Sequence, residues 1–154
     1  MIELGNKVPS EQEMDLSLKL YIVLSRAMQS INKKVEEDIR SYGLNTTEFA
    51  VLELLYSKGE QPIQKIGDKV LLASSSITYV VDKLEKKDYL VRKPCAKDRR
   101  VTFAVITQKG TDFMNEIFPK HREAIHEIVG GLKSEEKEAV ISQLKQLGMH
   151  AQNL

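Results

Sequence analysis

Hydrophobic residues recur at helical spacing along most of this chain and lose that spacing in a short stretch near its middle. From Glu13 to Ser41, Leu16, Leu20, Val23, Leu24, Ala27, Met28, Ile31, Val35 and Ile39 hold one long amphipathic period. Tyr42-Gly43 ends that helix, because glycine accepts the positive φ of a helix terminus. Asn45-Thr46-Thr47-Glu48 reads as a capping box, with Leu44 placed to staple onto Phe49. The helix it opens carries Phe49, Leu52, Leu55 and Tyr56 and stops before Lys58-Gly59. Pro62 starts a short helix, where a missing N–H is no loss, and Ile63, Ile66 and Val70 form its buried side. After the link Leu71-Leu72-Ala73, Ser74 caps a further helix whose apolar set is Ile77, Val80, Val81 and Leu84, spaced i, i+3, i+4, i+7. Ser75, Tyr79, Asp82 and Lys86 fall on the opposite face, flanked by Ser76, Thr78 and Lys83.

The period then changes. Tyr89–Lys93 and Val101–Ile106 are rich in β-branched and aromatic residues and predict a hairpin, with Pro94 closing the first strand and Cys95–Arg100 as its tip. Thr107 caps another helix containing Phe113, Met114, Ile117 and Phe118. Pro119 is expected to kink or break it before His121, Ile125, Ile128 and Val129 carry it on to Gly130-Gly131. Ser134 with Glu135 and Glu136 starts a last helix, striped by Val140, Ile141, Leu144 and Leu147. The fold class is mainly α with a small β-hairpin wing: two short, closely spaced helices followed by a hairpin make a winged helix-turn-helix. Long amphipathic helices flank it on both sides, and the first is longer than one small core needs.

The 154 residues suit a single domain, alone or with an added dimerisation element, and net charge is only +1. Its distribution says more. Between Gln61 and Arg100 ten basic residues face five acidic ones, while the rest of the chain is acidic on balance. A basic centre between acidic flanks suits a phosphate-facing surface. One cysteine excludes an intrachain disulfide. No apolar run is long enough to cross a membrane, and the N-terminus lacks the pattern of a signal peptide, so a cytoplasmic location is expected.

DKLEKKDYLVRKPCAKDRRVTFAVITQKG resembles the core of the MarR family of winged-helix transcriptional regulators. The family pattern Asp-x-Arg, five residues, Leu-Thr-x-x-Gly is met by Asp98, Arg100, Ile106, Thr107 and Gly110, with Ile for Leu. The helix order agrees from about residue 13 to residue 150. The resemblance implies one domain of that type. Residues 1–12 would be a flexible arm, 13–44 a dimerisation and linking helix, 45–107 the winged helix-turn-helix and 108–154 C-terminal dimerisation helices. It implies a homodimer on double-stranded DNA with a pseudo-palindromic operator, usually as a repressor, released by a small molecule, phenolic or quinone-like, or by an oxidant.

The start of the second helix of the pair would enter the major groove, where hydroxyl groups serve bases or phosphates. The DNA-binding set is Lys65, Ser74, Ser75, Ser76, Thr78, Tyr79, Lys83, Lys97, Arg99 and Arg100. Lys69 and Lys86 are further candidates for phosphate. Tyr79 stands where many members carry Arg, so their bidentate guanine contact does not carry over. The resemblance puts Arg100 in the minor groove, and Asp98 holds the wing rather than touching DNA. Tyr21, Met28 and Phe49 are candidate effector-pocket residues. Cys95, between Lys93 and Lys97, is a candidate redox sensor.

His121 and His126 are five apart, which does not put two ligands on one helical face, so no metal and no cofactor are expected. No nucleotide loop or catalytic constellation speaks for an enzyme. The competing reading is a winged helix that binds only proteins. A protein-binding wing has no need of Lys97, Arg99 and Arg100 together.

Overall fold

The computed structural model describes residues 7–70 and 74–154, with the side chains of Ser74 and Ser75 also outside the description. The expected turn Leu71-Leu72-Ala73 and the first six residues of the expected arm therefore lie outside the described residues. By contacts the chain divides into two units, Met1–Lys34 and Val35–Leu154.

The first unit holds most of a helix, α1, that runs Glu11–Ser41, starting two residues before the position expected. Its Leu16, Leu20, Tyr21, Val23 and Met28 are all exposed. Only its last turns, from Val35, belong to the second unit, where Ile39 is buried.

The second unit contains α2 (Thr46–Lys58), β1 (Gln61–Pro62), α3 (Ile63–Lys69), α4 (Ser74–Lys86), β2 (Leu90–Pro94), β3 (Thr102–Ile106), α5 (Gln108–Ile128) and α6 (Ser134–Gln152). The elements begin and end where short-range chemistry dictates. Gly43 takes φ +81 and closes α1. At α2 the Glu48 N–H donates to Asn45 Oδ1 at 2.8 Å and the Asn45 N–H donates to Glu48 Oε1 at 3.2 Å, the full capping box. Leu44 and Phe49 are both buried in the same core. Leu52, Leu55, Ile66, Val81, Leu84, Leu90 and Met114 fill its centre.

The expected hairpin forms and gains a third strand, and the break expected at Pro119 does not occur. The hairpin is part of a three-stranded antiparallel sheet in the order β1-β3-β2, with Gln61 opposite Ala104 and Arg92 opposite the same residue from the other side. Pro62 can sit in β1 because that strand is an edge, and it then serves as the N-cap of α3. Pro119 neither ends nor splits the helix: α5 continues through it to Ile128. The lost N–H would have bonded the Asn115 carbonyl, and both residues are exposed, so water can serve that oxygen.

The Ile106-Thr107-x-x-Gly110 run is a joint between wing and α5. Thr107 Oγ1 accepts from the Gly110 N–H at 3.0 Å, and its hydroxyl donates to the Asp88 carbonyl. The Thr107 N–H donates to the Tyr89 carbonyl at 3.0 Å. A Cβ on Gly110 would come within 2.2 Å of that same Tyr89 oxygen, so only glycine lets α5 start this close to the wing.

Candidate nucleic-acid interface

The period of α4 sorts its side chains. Ile77, Val80, Val81 and Leu84 are buried, while Ser76 and Thr78 are exposed and Tyr79 is 61% exposed. Lys83 Nζ lies 5.2 Å from the centroid of the Tyr79 ring, a cation–π contact that steadies both on the outer face. Ser74 and Ser75 belong to α4, but their side chains lie outside the described residues. Lys65 on α3 is exposed, as are Lys86, Lys97 and Arg99.

At the wing tip, Asp98 organises the loop. Its Oδ1 accepts from the Arg100 N–H at 3.1 Å and from Arg100 Nε at 3.2 Å. The Val101 N–H donates to the Asp98 carbonyl and the Cys95 N–H to the Val101 carbonyl. These hydrogen bonds from Arg100, side chain and backbone, hold the Asp98 carboxyl below its usual range. The Arg100 side chain remains 91% exposed, oriented by Asp98 yet open to solvent. Cys95 is half-buried at the root of this loop.

The basic centre read from the sequence is partly spent inside the protein. Lys69 Nζ donates to Gln61 Oε1 at 2.6 Å, which satisfies a buried amide. Lys87 pairs with the buried Glu48 at 2.9 Å, tying the end of α4 to the start of α2. Arg92 lies across α4: Nη1 donates to Glu85 Oε1 at 2.7 Å, Nη2 to Asp82 Oδ1, and its N–H to Glu85 Oε2 at 3.1 Å. Burial disfavours this guanidinium, but the two carboxylates outweigh it and raise its pKa above the ordinary arginine value. Asp82, expected on the outward face with Tyr79, is turned toward the wing instead. The signal was present as two acids at i, i+3 on α4 followed by one Arg in the adjoining strand, yet only the angle between helix and strand brings them together.

The three expected effector residues fall in different units of the chain. Tyr21 and Met28 are exposed on the first unit, and Phe49 is a core residue of the second. Phe49 does adjoin a polar group that sequence reasoning left unassigned. His121 sits with its ring centroid 4.5 Å from that of Phe49. Its Nδ1 is 2.8 Å from Asp38 Oδ2, and the other oxygen of Asp38 accepts from the Tyr42 hydroxyl at 2.7 Å. His121 also borders a groove of about 750 Å³ on α5 and the start of α6, with Ile125 and Val129 as apolar walls and Arg122 and Lys137 as cations.

Residues 44–102 match the model of the MarR family. The HTH-type transcriptional regulator MhqR of Bacillus subtilis (strain 168) is 59% identical over 135 residues, covering 88% of this chain and 93% of its own. The uncharacterized HTH-type transcriptional regulator YkoM of the same organism is 41% identical over 145 residues, covering 94% of each. In fold, the chain resembles Sco3205, a MarR family transcriptional regulator from Streptomyces coelicolor solved in complex with DNA. That match has a TM-score of 0.76 at 18% identity and covers 94% of this chain and 91% of the other.

Proposed function

This chain belongs to the MarR family of DNA-binding transcriptional regulators, and from that premise we propose that it is a homodimeric repressor released by a small phenolic or quinone-like molecule. The outer face of α4 carries the reading. Ser76, Thr78 and Tyr79 project from a helix whose other side is locked into the core, which is what a major-groove reader requires. Ser74 and Ser75 precede them in the same helix. Lys65, Lys83 and Lys97 position the protein on phosphates, and Arg99 and Arg100 reach the minor groove beside it. Two copies place two such helices about one helical turn apart on one face of the duplex, so the operator is pseudo-palindromic.

The groove beside His121 supports a weakly acidic aromatic effector. Apolar walls take a ring, while cations and an imidazole take a phenolic oxygen. A ligand that bonds His121 competes with Asp38, and so favours a different setting of α5 against α2, whose Phe49 packs at a tilt against the same imidazole. Oxidation of Cys95 is the alternative trigger, since an acid at the wing root would repel phosphate. The test uses a duplex that the wild-type chain enriches from a random-sequence library. Release of that duplex by catechol or benzoquinone should persist in Cys95→Ser and be lost in His121→Ala. Release that disappears in Cys95→Ser puts the trigger on the thiol instead. A chain that enriches no duplex overturns the whole reading.

A further inference from the structure

Arg92 is a positioning residue for DNA binding: we infer that it sets the angle of the wing against the recognition helix and does not itself bind phosphate. The inference rests on the DNA-binding role of α4 and the wing. Three donors of Arg92 are committed to α4, two from the guanidinium and one from the backbone, and all three go to Asp82 and Glu85. Its side chain is only 28% exposed. The carboxylates that hold both Nη atoms would repel a phosphate brought to the same guanidinium.

Apolar packing joins only the base of the wing to α4, where Leu84 and Leu90 share one core, and leaves the outer part of the junction open. Between the helices and the wing lies a cleft of about 520 Å³, with Ile63 and Gln64 of α3, Thr78 of α4 and Arg92 and Thr102 of the sheet along its walls. Where side chains do not interdigitate, the angle between two elements is set by directional polar contacts. Among the described residues, two such side-chain contacts span this junction. Arg92 is one, and Gln64 is the other, its Nε2 donating to the Arg100 carbonyl at 3.3 Å. The first fixes the stem of the wing to α4, and the second fixes the arginine of the tip to α3. Together they set how far Arg100 stands from Tyr79, and hence whether one duplex can meet both.

The inference has a sign that separates it from simple electrostatics. Neutralising Asp82 and Glu85 removes two negative charges near DNA. If these acids acted only through charge, Asp82→Asn/Glu85→Gln would bind DNA more tightly. If they hold Arg92, the double variant should bind the selected duplex roughly tenfold more weakly, the scale of a lost charge-assisted pair. Binding to a random-sequence duplex should hold or tighten, because it does not need both grooves met at once.

The measurement is fluorescence anisotropy of the full chain on both duplexes across a salt series, with a thermal melt of each variant. Arg92→Ala should weaken selected-duplex binding about as much as the double variant, and the slope of affinity against salt should stay at the wild-type value. Arg92→Lys should recover part of the loss. A slope reduced by about one unit in Arg92→Ala would make Arg92 a phosphate contact and overturn the inference, as would tighter binding of the double variant to both duplexes. If Arg92→Ala melts early, the double variant, which conserves shape, decides the matter. A wild type that selects no duplex overturns the regulator reading and the inference with it. A wild type that selects one while both variants bind it normally overturns the inference alone.

Discussion

The apolar stripe of α4 and the apolar stripe of α1 look alike as sequence, but the protein treats them differently. Ile77, Val80, Val81 and Leu84 are buried to the last few per cent, against α2, α3 and the wing. Leu16, Leu20, Val23 and Met28 keep the same period and remain open, Leu20 at 51% exposure. The last helix resembles the first in this: α6 has no buried residue, and Ile141, Leu144 and Leu147 are exposed. The winged region closes its own hydrophobic account within one chain. The terminal helices carry contiguous apolar surface of the kind that marks an association site. The difference separates what folds the chain from what we propose joins it to another copy.

The largest effect expected comes from removing that second surface. A chain ending at Lys133 loses no buried side chain of α6, so it should remain folded. It should also become a monomer, and its affinity for a two-fold duplex should fall roughly a hundredfold or more as the linked second half-site is lost. Sedimentation and DNA titration check both parts. A truncated chain that stays dimeric would falsify the assignment of α6 to the interface.

A finer cut compares one residue from each stripe. Leu84→Ala, from a fully buried position, should cost about 2–5 kcal/mol of stability at every protein concentration. Leu20→Ala should leave the dilute protein's melting nearly unchanged and act only where stability depends on concentration, through the dimer. Equal losses in the two variants, independent of concentration, would erase the distinction.

Much of the winged region was legible because its signals are short-range. Gly43, Asn45 with Glu48, and Thr107 with Gly110 set helix ends through neighbours three or four residues away. The outward set Ser76, Thr78 and Tyr79 follows from the turn per residue once the buried side is known. What stayed hidden joins distant parts of the chain. β1 is two residues long and exists only through Phe103 and Ala104. Asp38 and His121 meet across 83 positions, and no local rule pairs them. Arg92 entered the reading as one more positive charge, because the acids that neutralise it belong to another element. The stripes of α1 and α6 were read correctly as apolar, but burial within one chain cannot be told from burial between two by period alone.

Within the winged region the next contrast is between reading and positioning. Arg100→Ala should weaken binding to selected and random duplexes alike, by about tenfold, and reduce the salt slope by about one unit. Tyr79→Ala should relax sequence preference more than it lowers affinity for random DNA, since a ring on α4 can stack or bond at base edges but carries no charge. Equal losses for Tyr79→Ala on both duplexes would make it a support for Lys83, whose ammonium rests over its ring.

The smallest effect concerns the junction of the two stripes, where the last turns of α1 meet the second unit's core. Burial there, with the Asp38 carboxylate hydrogen-bonded to its hydroxyl and Glu123 adding repulsion, pushes the Tyr42 pKa well above the ordinary tyrosine range. The folded state thus resists ionising Tyr42, whereas the unfolded chain ionises it near pH 10. A group raised on folding contributes fully below its unfolded pKa and loses that contribution as pH rises toward its folded one. Stability should therefore decline from about pH 10 upward by an amount that Tyr42→Phe removes. Phenylalanine cannot donate to Asp38, so the variant should start lower at neutral pH and lose less on the alkaline side. The lysines that titrate in the same range are shared by both proteins and cancel in the difference. Urea melts of the two at matched pH give that difference directly. Parallel curves through the alkaline range would mean that Tyr42 ionises as readily folded as unfolded, and that the end of α1 is held by Ile39 and its apolar neighbours rather than by the Asp38 network.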